Sequence, residues 1–207
     1  SVNQQLTAAQ EKVKILRDTW SEAITGKKTV TSSVVELRKA DALRLKSVKM
    51  TPGDYSAYSV NNSVDITERY NLDNGQRATH YTNAKIVLKP GFQVPSGAIQ
   101  VEYDYFDVAA AVGNYFSVDS YASIDYSSIP SFTITDPATG KKRETCLSDV
   151  LDFRPIIGGE NTFYPEIPKI GSDAKSPVAY YLGRKDKIVL DSIGRFNVIK
   201  GVPAAVP

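Results

Sequence analysis

Residues 65–77 read DITERYNLDNGQR, a short strand-like run that leads into an Asn-Gly turn. Asn74 and Gly75 suit a tight turn because both residues tolerate the positive φ that such turns require. Turn chemistry alone does not explain why Arg69 and Arg77 stand among acidic residues. We therefore expect the turn to aim one of these arginines at a nearby carboxylate and so to hold the following strand in register.

The sequence on both sides of this stretch is typical of β structure. Apolar and polar residues alternate in short runs, such as LRLKSV at 43–48, and clusters of Gly, Pro and Asn separate the runs. The pattern predicts a mainly β protein with an antiparallel β domain, sandwich-like or irregular, over residues 29–155. A Gly/Pro-rich connector is expected at 156–177. Residues 178–207 are expected to form a β-hairpin and the start of a linker.

The N-terminal region differs from the rest. Over residues 1–26 the apolar positions recur in steps of four and three, as in a heptad seam: Val2, Leu6, Ala9, Val13, Leu16, Trp20 and Ala23. This predicts an N-terminal α-helix that ends near Gly26. The helix would either pack on its own domain or form a short coiled coil between copies of the chain. The candidate interface residues are Val2, Leu6, Val13, Leu16 and Trp20.

Composition excludes several classes of function. The net charge of the 207 residues is +2, which argues against a nucleic-acid partner bound through a dominant positive field. No apolar run approaches the ~20 residues that span a bilayer, so we expect no membrane insertion. Cys146 is the single cysteine and His80 the single histidine. An internal disulfide, a cysteine-based zinc site and most multi-histidine metal sites are therefore excluded, and we expect no cofactor.

No catalytic constellation is evident, and we expect a protein that is not an enzyme. His80 is interpreted as a surface or hydrogen-bonding residue, and Cys146 as a buried, inert thiol. The aspartates Asp104, Asp107, Asp119 and Asp125 have the side chains that a glycosidase pair or a calcium site would need. They lack calcium-loop spacing and suit the solvent-facing sides of strands better.

Two further groups of residues are candidates for a role. Five tyrosines concentrate in one part of the chain, where they would either stack on a ligand such as a sugar or bridge core and surface: Tyr103, Tyr105, Tyr115, Tyr121 and Tyr126. A second set is expected to fix loops through turns and ion pairs: Asp65, Arg69, Asn74, Gly75, Arg77, Asp152 and Arg154.

Several blocks occur in a fixed order after residues 65–77: KPG at 89–91, YDYF at 103–106, NYFSVDSY at 114–121, IDY at 124–126 and LDFRP at 151–155. In this order the chain resembles large, poorly characterised virion structural proteins of contractile-tailed bacteriophages. Ala78, where that pattern has a polar and usually acidic residue, and Gly113-Asn114, in place of a Gly-Asp pattern, depart from it.

The resemblance implies a component of a phage tail, fibre or baseplate, made in the host cytoplasm and located in the virion. We expect a non-enzymatic structural module that mediates assembly and connects domains. Its partners would be other tail proteins and copies of itself, with a trimer as the first expectation. The alternative is a receptor- or carbohydrate-binding module that contacts a host surface glycan.

Overall fold

A computed structural model describes residues 6–109, 113–136, 138–165, 167–175 and 183–204. The chain divides into two compact units, Ser1–Ser176 and Pro177–Pro207. The strands of the first unit are β1 (Leu6–Thr7), β2 (Lys14–Ile24), β3 (Val34–Ala40), β4 (Ala42–Met50), β5 (Val64–Asp65), β6 (Tyr70–Asp73), β7 (Asn83–Leu88), β8 (Ile99–Val108), β9 (Ser131–Thr135), β10 (Lys142–Cys146) and β11 (Ile167–Pro168). Helical structure within the described residues is limited to the α-helix α1 (Lys27–Val30) and five short 3₁₀ helices, at Val60–Asn62, Thr67–Arg69, Val118–Tyr121, Tyr126–Ser128 and Leu147–Asp149.

Two antiparallel sheets form the centre of the first unit. One has the strand order β2-β8-β4-β5 and the other the order β3-β7-β6. Side chains of both sheets, such as Val48, Val101, Leu37 and Ile86, join one buried apolar cluster. The prediction of a mainly β protein with antiparallel sheets is confirmed.

The prediction of an N-terminal α-helix is wrong, because Lys14–Ile24 is a strand that pairs antiparallel with β8. The register shifts between Arg17 and Trp20, where a one-residue bulge contains Thr19 at φ 55°. A bulge reverses which face of the sheet later residues occupy. Leu16 and Trp20 therefore lie on opposite faces, although their spacing of four imitates one side of a helix.

This correction removes the helical seam on which the interface prediction rested. Val13 is exposed, Leu16 packs beside Phe106, and Trp20 packs against the core shared by the two sheets. Val2 lies outside the described residues, and Leu6 belongs to β1, which pairs in parallel with β11.

The second face of the β2-β8-β4-β5 sheet is covered by later parts of the chain. Phe106 of β8 packs with Tyr121 and Leu147 in a buried cluster that also contacts Leu16. Strands β9 and β10 pair antiparallel next to this cluster. Ile156, at the start of the predicted connector, is fully buried against Tyr81. The first unit is therefore layered, with the β2-β8-β4-β5 sheet in the middle.

The second unit contains β12 (Lys187–Leu190) and β13 (Phe196–Ile199), which pair antiparallel. Every residue of both strands is exposed in this chain, including Ile188 and Phe196. The hairpin prediction also covers residues 178–182, which lie outside the described residues.

Candidate functional site: a buried charge cluster

Lys14 begins β2 and points into the layer behind the sheet, where its side chain has no exposure to solvent. Its Nζ donates to Asp41 Oδ2 at 2.6 Å and to Tyr81 Oη at 3.1 Å. Four aromatic rings surround the ammonium, with centroid distances from Nζ of 4.5, 4.6, 5.0 and 5.8 Å for Tyr81, Phe116, Tyr121 and Phe106. A cation over ring faces is attracted by their quadrupoles, so these rings replace part of the lost hydration.

Asp41 occupies the single-residue turn between β3 and β4, with φ 56°. Asp is one of the few residues that adopts this left-handed conformation without a large cost. Its Oδ1 accepts from Gln76 Nε2 at 3.2 Å, and its main-chain carbonyl accepts from the Phe106 amide at 3.0 Å. Both carboxylate oxygens therefore have a partner, as a buried charge requires.

A second ion pair lies next to the first. Arg154 Nε donates to Asp152 Oδ1 and Nη2 donates to Oδ2, both at 2.9 Å, in a forked arrangement. Arg154 Nη1 donates to the Arg77 carbonyl at 2.7 Å, and Nη2 also approaches Gln76 Oε1 at 3.3 Å. The guanidinium lies between the rings of Tyr81 and Phe132, with Cζ 4.3 and 3.9 Å from their centroids.

Tyr81 joins the two ion pairs. Its hydroxyl donates to Asp152 Oδ2 and accepts from Lys14 Nζ and from Arg154 Nη2, the latter at 2.8 Å. We call Lys14, Asp41, Gln76, Tyr81, Asp152 and Arg154 the buried charge cluster. Its members come from four segments that are distant in sequence, so the cluster ties β2, the β3–β4 turn, the β6–β7 loop and residues 152–154 together.

The cluster fixes the charge state of its members. Burial lowers the pKa of Lys14, but the carboxylates of Asp41 and Asp152 raise it by more, so that pKa lies above its usual value. Burial also raises the pKa of Asp152, and the hydrogen bonds and charge of Arg154 overcome this and hold it below its ordinary range. Desolvation raises the pKa of the Tyr81 phenol well above its normal value. At neutral pH Lys14 and Arg154 are therefore cations, Asp152 is ionised and Tyr81 is protonated.

The predicted turn within residues 65–77 positions two groups that contact the buried charge cluster. Gly75 has φ +81°, and a Cβ at that position would lie 2.1 Å from the Thr82 carbonyl oxygen, so only glycine fits. Arg77 forms a forked pair with Asp73, at 3.0 and 2.7 Å. The turn thereby places Gln76 in the cluster and the Arg77 carbonyl against Arg154.

The remaining residues of the predicted loop-fixing set make hydrogen bonds outside the buried charge cluster or within its supporting turn. Asp65 accepts from the amide of Thr67 at 2.8 Å and from its hydroxyl at 2.6 Å. Arg69 is exposed and reaches the Gln93 carbonyl at 3.4 Å. Asn74 Oδ1 accepts from the Gln76 amide at 3.0 Å. Asp152 and Arg154 alone of this set contribute charged side chains to the buried cluster.

The tyrosines predicted to face a ligand are mostly core residues. Tyr103, Tyr105, Tyr115 and Tyr121 are buried, and only Tyr126 of the five is exposed. β8 has neighbours on both of its edges and packing on both of its faces, so its alternate residues are all covered. Four of these rings are therefore core residues that neither face a ligand at the surface nor bridge core and surface.

Two expectations about single residues are wrong. Cys146 is exposed, because it ends β10 on the outer side of the β9–β10 pair. Asp104 is fully buried, and it accepts from the Thr19 amide at 2.8 Å, from Arg44 Nε at 2.5 Å and from Lys46 Nζ at 3.1 Å. His80 is half-buried, with Nδ1 2.9 Å from the Thr79 hydroxyl. Asp104 thus stabilises the β2 bulge and is not a solvent-facing carboxylate.

Sequence reasoning identified Asp152, Arg154 and the turn that carries Gln76, but it missed Lys14, Asp41 and Tyr81. Lys14 lies within residues 1–26, for which the apolar spacing predicts a helix and gives no sign of a buried charge. A signal was present in Ala40-Asp41-Ala42, an acid between two small residues where two strands meet. In the part of the chain that the structure describes, no three His, Cys, Asp or Glu side chains are placed to hold a metal ion, and no helix is long and apolar enough to cross a membrane.

The geometry of the buried charge cluster supports a role in joining segments of the chain more directly than a catalytic role. The charged groups of the cluster are satisfied by one another and lie behind the sheet, with Lys14 and Asp41 closed to solvent. Comparison of the chain with protein-family models, curated proteins and solved structures returns no match.

Proposed function

We propose that this chain is a non-enzymatic structural module of a phage tail, fibre or baseplate protein, which mediates assembly and connects further domains. The buried charge cluster carries the structural part of this proposal. Separating a buried ion pair leaves an uncompensated charge, so segments joined in this way resist being pulled apart singly. The phage setting rests on the ordered sequence blocks from residue 65 to residue 155.

The surroundings of the cluster support the non-enzymatic part of this proposal. A general acid or base must reach its substrate, directly or through one water molecule. The Lys14 and Asp41 side chains are 0% and 1% exposed and spend their polar atoms on each other, Tyr81 and Gln76. The cluster therefore supports a role in holding the module together.

We also propose that the module forms a homo-oligomer, with a trimer as the first expectation, through its second unit. Ile188 and Leu190 of β12 and Phe196 and Val198 of β13 leave large apolar side chains exposed. An isolated two-stranded sheet is marginally stable in water, so contact with neighbouring copies would supply the missing burial. Contacts with other tail proteins belong to the same proposal.

Analytical ultracentrifugation of the chain tests assembly. We expect a species of several copies that shifts towards monomer in an Ile188→Lys, Phe196→Lys double variant. A matched double variant, Lys187→Gln with Lys200→Gln, changes exposed charges of the same unit and should assemble as the parent does. A parent chain that stays monomeric at tens of micromolar would contradict the oligomer.

Location in the virion is tested on particles of the phage that encodes the chain. Antibodies against the first unit, detected by immunogold electron microscopy, should label the tail, and a deletion should give particles with missing or unstable tails. Unlabelled, fully assembled and infectious particles from the deletion strain would overturn the structural assignment.

A carbohydrate-binding module remains the second candidate, because one surface groove has suitable chemistry. The groove beside the β2 bulge is lined by residues that include Arg17, Trp20, Tyr105 and Asp107. The Trp20 ring gives this groove an apolar surface beside charged groups, an arrangement that would suit a sugar ring. A glycan array decides between the two functions: binding that disappears in Trp20→Ala but persists in Tyr126→Ala would favour the carbohydrate-binding module.

A further inference from the structure

Lys14 and Asp41 are positioned as two reactants as well as an ion pair. Nζ lies 2.6 Å from Oδ2, and neither side chain reaches solvent. Strand pairing fixes Lys14 at the start of β2, and the β3–β4 turn fixes Asp41. An amine and a carboxyl group held in this way have the proximity that gives intramolecular reactions their high effective concentrations.

We propose that Lys14 and Asp41 condense into an intramolecular isopeptide bond, with Nζ joined to Cγ and one water molecule released. First, Nζ passes one proton to Oδ2, which converts the ammonium and the carboxylate into an amine and a carboxylic acid. The Nζ lone pair then attacks Cγ. A second proton from Nζ reaches the same oxygen, the Cγ–Oδ2 bond breaks, and Oδ2 leaves as water. Ammonium plus carboxylate gives amide plus water, so no oxidant, reductant or other reactant is needed.

The surroundings bear on each part of this reaction. Proton transfer within the pair must overcome the raised pKa of Lys14, and burial lowers this cost because the transfer replaces two charges by two neutral groups. Gln76 Nε2 donates to Oδ1 at 3.2 Å, where negative charge develops when Nζ attacks Cγ. Exclusion of water also opposes hydrolysis of the amide once it has formed.

Tyr81 and Asp152 hold the amine in place while the second proton moves. Tyr81 Oη lies 3.1 Å from Nζ, and its own hydroxyl donates to Asp152. The second proton passes from Nζ directly to Oδ2, which lies 2.6 Å away in the ion pair, and Oδ2 then leaves as water. Gln76, Tyr81 and Asp152 act as positioning residues, and the bond-forming atoms belong to Lys14 and Asp41 alone.

This inference goes beyond the proposed function and does not depend on it. The bond would close a covalent loop between residues that are 27 positions apart and fasten the N-terminal strand to the β3–β4 turn. If the bond is absent, the ion pair and the proposed structural role are unaffected. If the protein is not part of a virion, the proposal of the isopeptide bond is unaffected.

Intact-mass spectrometry of the whole denatured chain tests the proposal. We expect a mass lower than that of the sequence by one water molecule, and a protease digest containing one branched fragment that joins the peptides of Lys14 and Asp41. A chain of full sequence mass after prolonged incubation in the folded state would overturn the proposal. This measurement needs no variant and therefore does not depend on whether variants fold.

Variants locate the bond. Lys14→Met and Asp41→Ala should both have their full sequence mass, whereas the matched variant Lys46→Met, which removes another lysine close to an aspartate, should still lack one water. Asp41→Asn should give a cross-linked product by loss of ammonia in place of water. Loss of water that persists in Lys14→Met would place the dehydration at another residue, such as a succinimide, and would also overturn the proposal.

Gln76→Leu tests the positioning role. If Gln76 stabilises the charge on Oδ1, the fraction of cross-linked chain soon after synthesis should fall severalfold and then rise with time. A purely structural role for Gln76 predicts lower stability with an unchanged cross-linked fraction. Circular dichroism of each variant separates these outcomes from a failure to fold.

Discussion

The two faces of the β2-β8-β4-β5 sheet are built on different chemistry. The face towards β3-β7-β6 buries mostly aliphatic side chains, such as Val48, Ile99 and Val101. The opposite face buries aromatic rings around the charges of Lys14, Asp41, Asp152 and Arg154. Aliphatic packing tolerates rearrangement of similar volumes, whereas a buried charge is stable only beside its own partner. We infer that the first face supplies bulk stability and that the second defines which segments meet.

The largest effect should follow removal of one charge from the aromatic face. Arg154→Ala leaves the buried Asp152 carboxylate without its forked partner and removes a hydrogen bond to Tyr81. Loss of one member of a buried pair costs roughly 3–5 kcal/mol, so we expect about 4 kcal/mol. The free energy of unfolding from urea titration measures it. Arg143→Ala, at an exposed position of β10, is the control and should change it by less than about 0.5 kcal/mol.

A cavity on the aliphatic face should cost somewhat less. Ile86 is fully buried in β7, and replacing a core isoleucine by alanine costs roughly 2–5 kcal/mol, for which we expect about 3. The same urea titration applies. Val34→Ala, at an exposed position of the same sheet, should cost less than about 1 kcal/mol. If Ile86→Ala lowered the free energy of unfolding by more than Arg154→Ala does, the distinction between the two faces would be weaker than we infer.

Acid should weaken the charged face first. The pKa of folded Asp152 lies below that of an unfolded aspartate, which is about 4. A depressed pKa contributes stability above the unfolded value and loses it as the pH falls through the folded value. We expect the free energy of unfolding to drop below about pH 4, and to drop less steeply in Asp152→Asn. An identical pH profile for the variant and the parent would contradict the role of Asp152, and Asp119→Asn serves as control.

A small effect is expected at the edge of the cluster. Arg77 pairs with Asp73, but the two side chains are 37% and 31% exposed, so solvent screens the pair. We expect Arg77→Ala to cost about 0.5–1 kcal/mol, and Lys142→Ala, in the exposed part of β10, to cost less. Melting temperatures of the two variants give the comparison. Equal and negligible shifts would show that the Asp73–Arg77 pair does not fix the turn.

The smallest change in stability is expected on removal of the Tyr70 hydroxyl, and its sign should be opposite to that for the Tyr81 hydroxyl. Among the described residues the buried Tyr70 hydroxyl on the aliphatic face has no hydrogen-bond partner, whereas the Tyr81 hydroxyl has three. Tyr70→Phe should therefore raise the free energy of unfolding by up to about 1 kcal/mol, and Tyr81→Phe should lower it. A loss of stability in Tyr70→Phe would mean that its hydroxyl is satisfied.

Tyr70 also gives a pH test of the same face. Burial raises the pKa of Tyr70 to about 12, although the charge of Arg69 opposes the shift. A raised pKa contributes stability below the unfolded value of about 10 and loses it as the pH rises through 12. We expect Tyr70→Phe to be less sensitive to alkali over that interval, as followed by tyrosine absorbance and circular dichroism.

The sequence predicted the β class and the Asn74-Gly75 turn because both depend on local properties. Alternation along residues 43–48 and the positive φ of Gly75 can be inferred without knowing any distant residue. The N-terminal strand could not be predicted in this way, since the bulge at Thr19 interrupts its period of two. Around that interruption, Leu16 and Trp20 have the spacing of a helix.

Only part of the candidate site could be predicted from the sequence. Asp152 and Arg154 lie two residues apart, so their pairing could be anticipated from the sequence. Lys14 and Asp41 meet because β2 and β4 both pair with β8, which is a property of the sheet and not of either segment. The burial of Asp104 has the same cause, because a strand in the middle of three layers has no solvent-facing side.

The bulge in β2 has a consequence for insertions and deletions. On one side of Thr19 the strand supplies Lys14 and Leu16 to one face, and on the other it supplies Trp20, Glu22 and Ile24 to the opposite face. Removing a single residue here would not merely shorten the strand but would exchange the environments of everything before it, placing an ammonium among aliphatic side chains. Descendants of this sequence can vary the residues at 18 and 19, but we expect them to preserve their number.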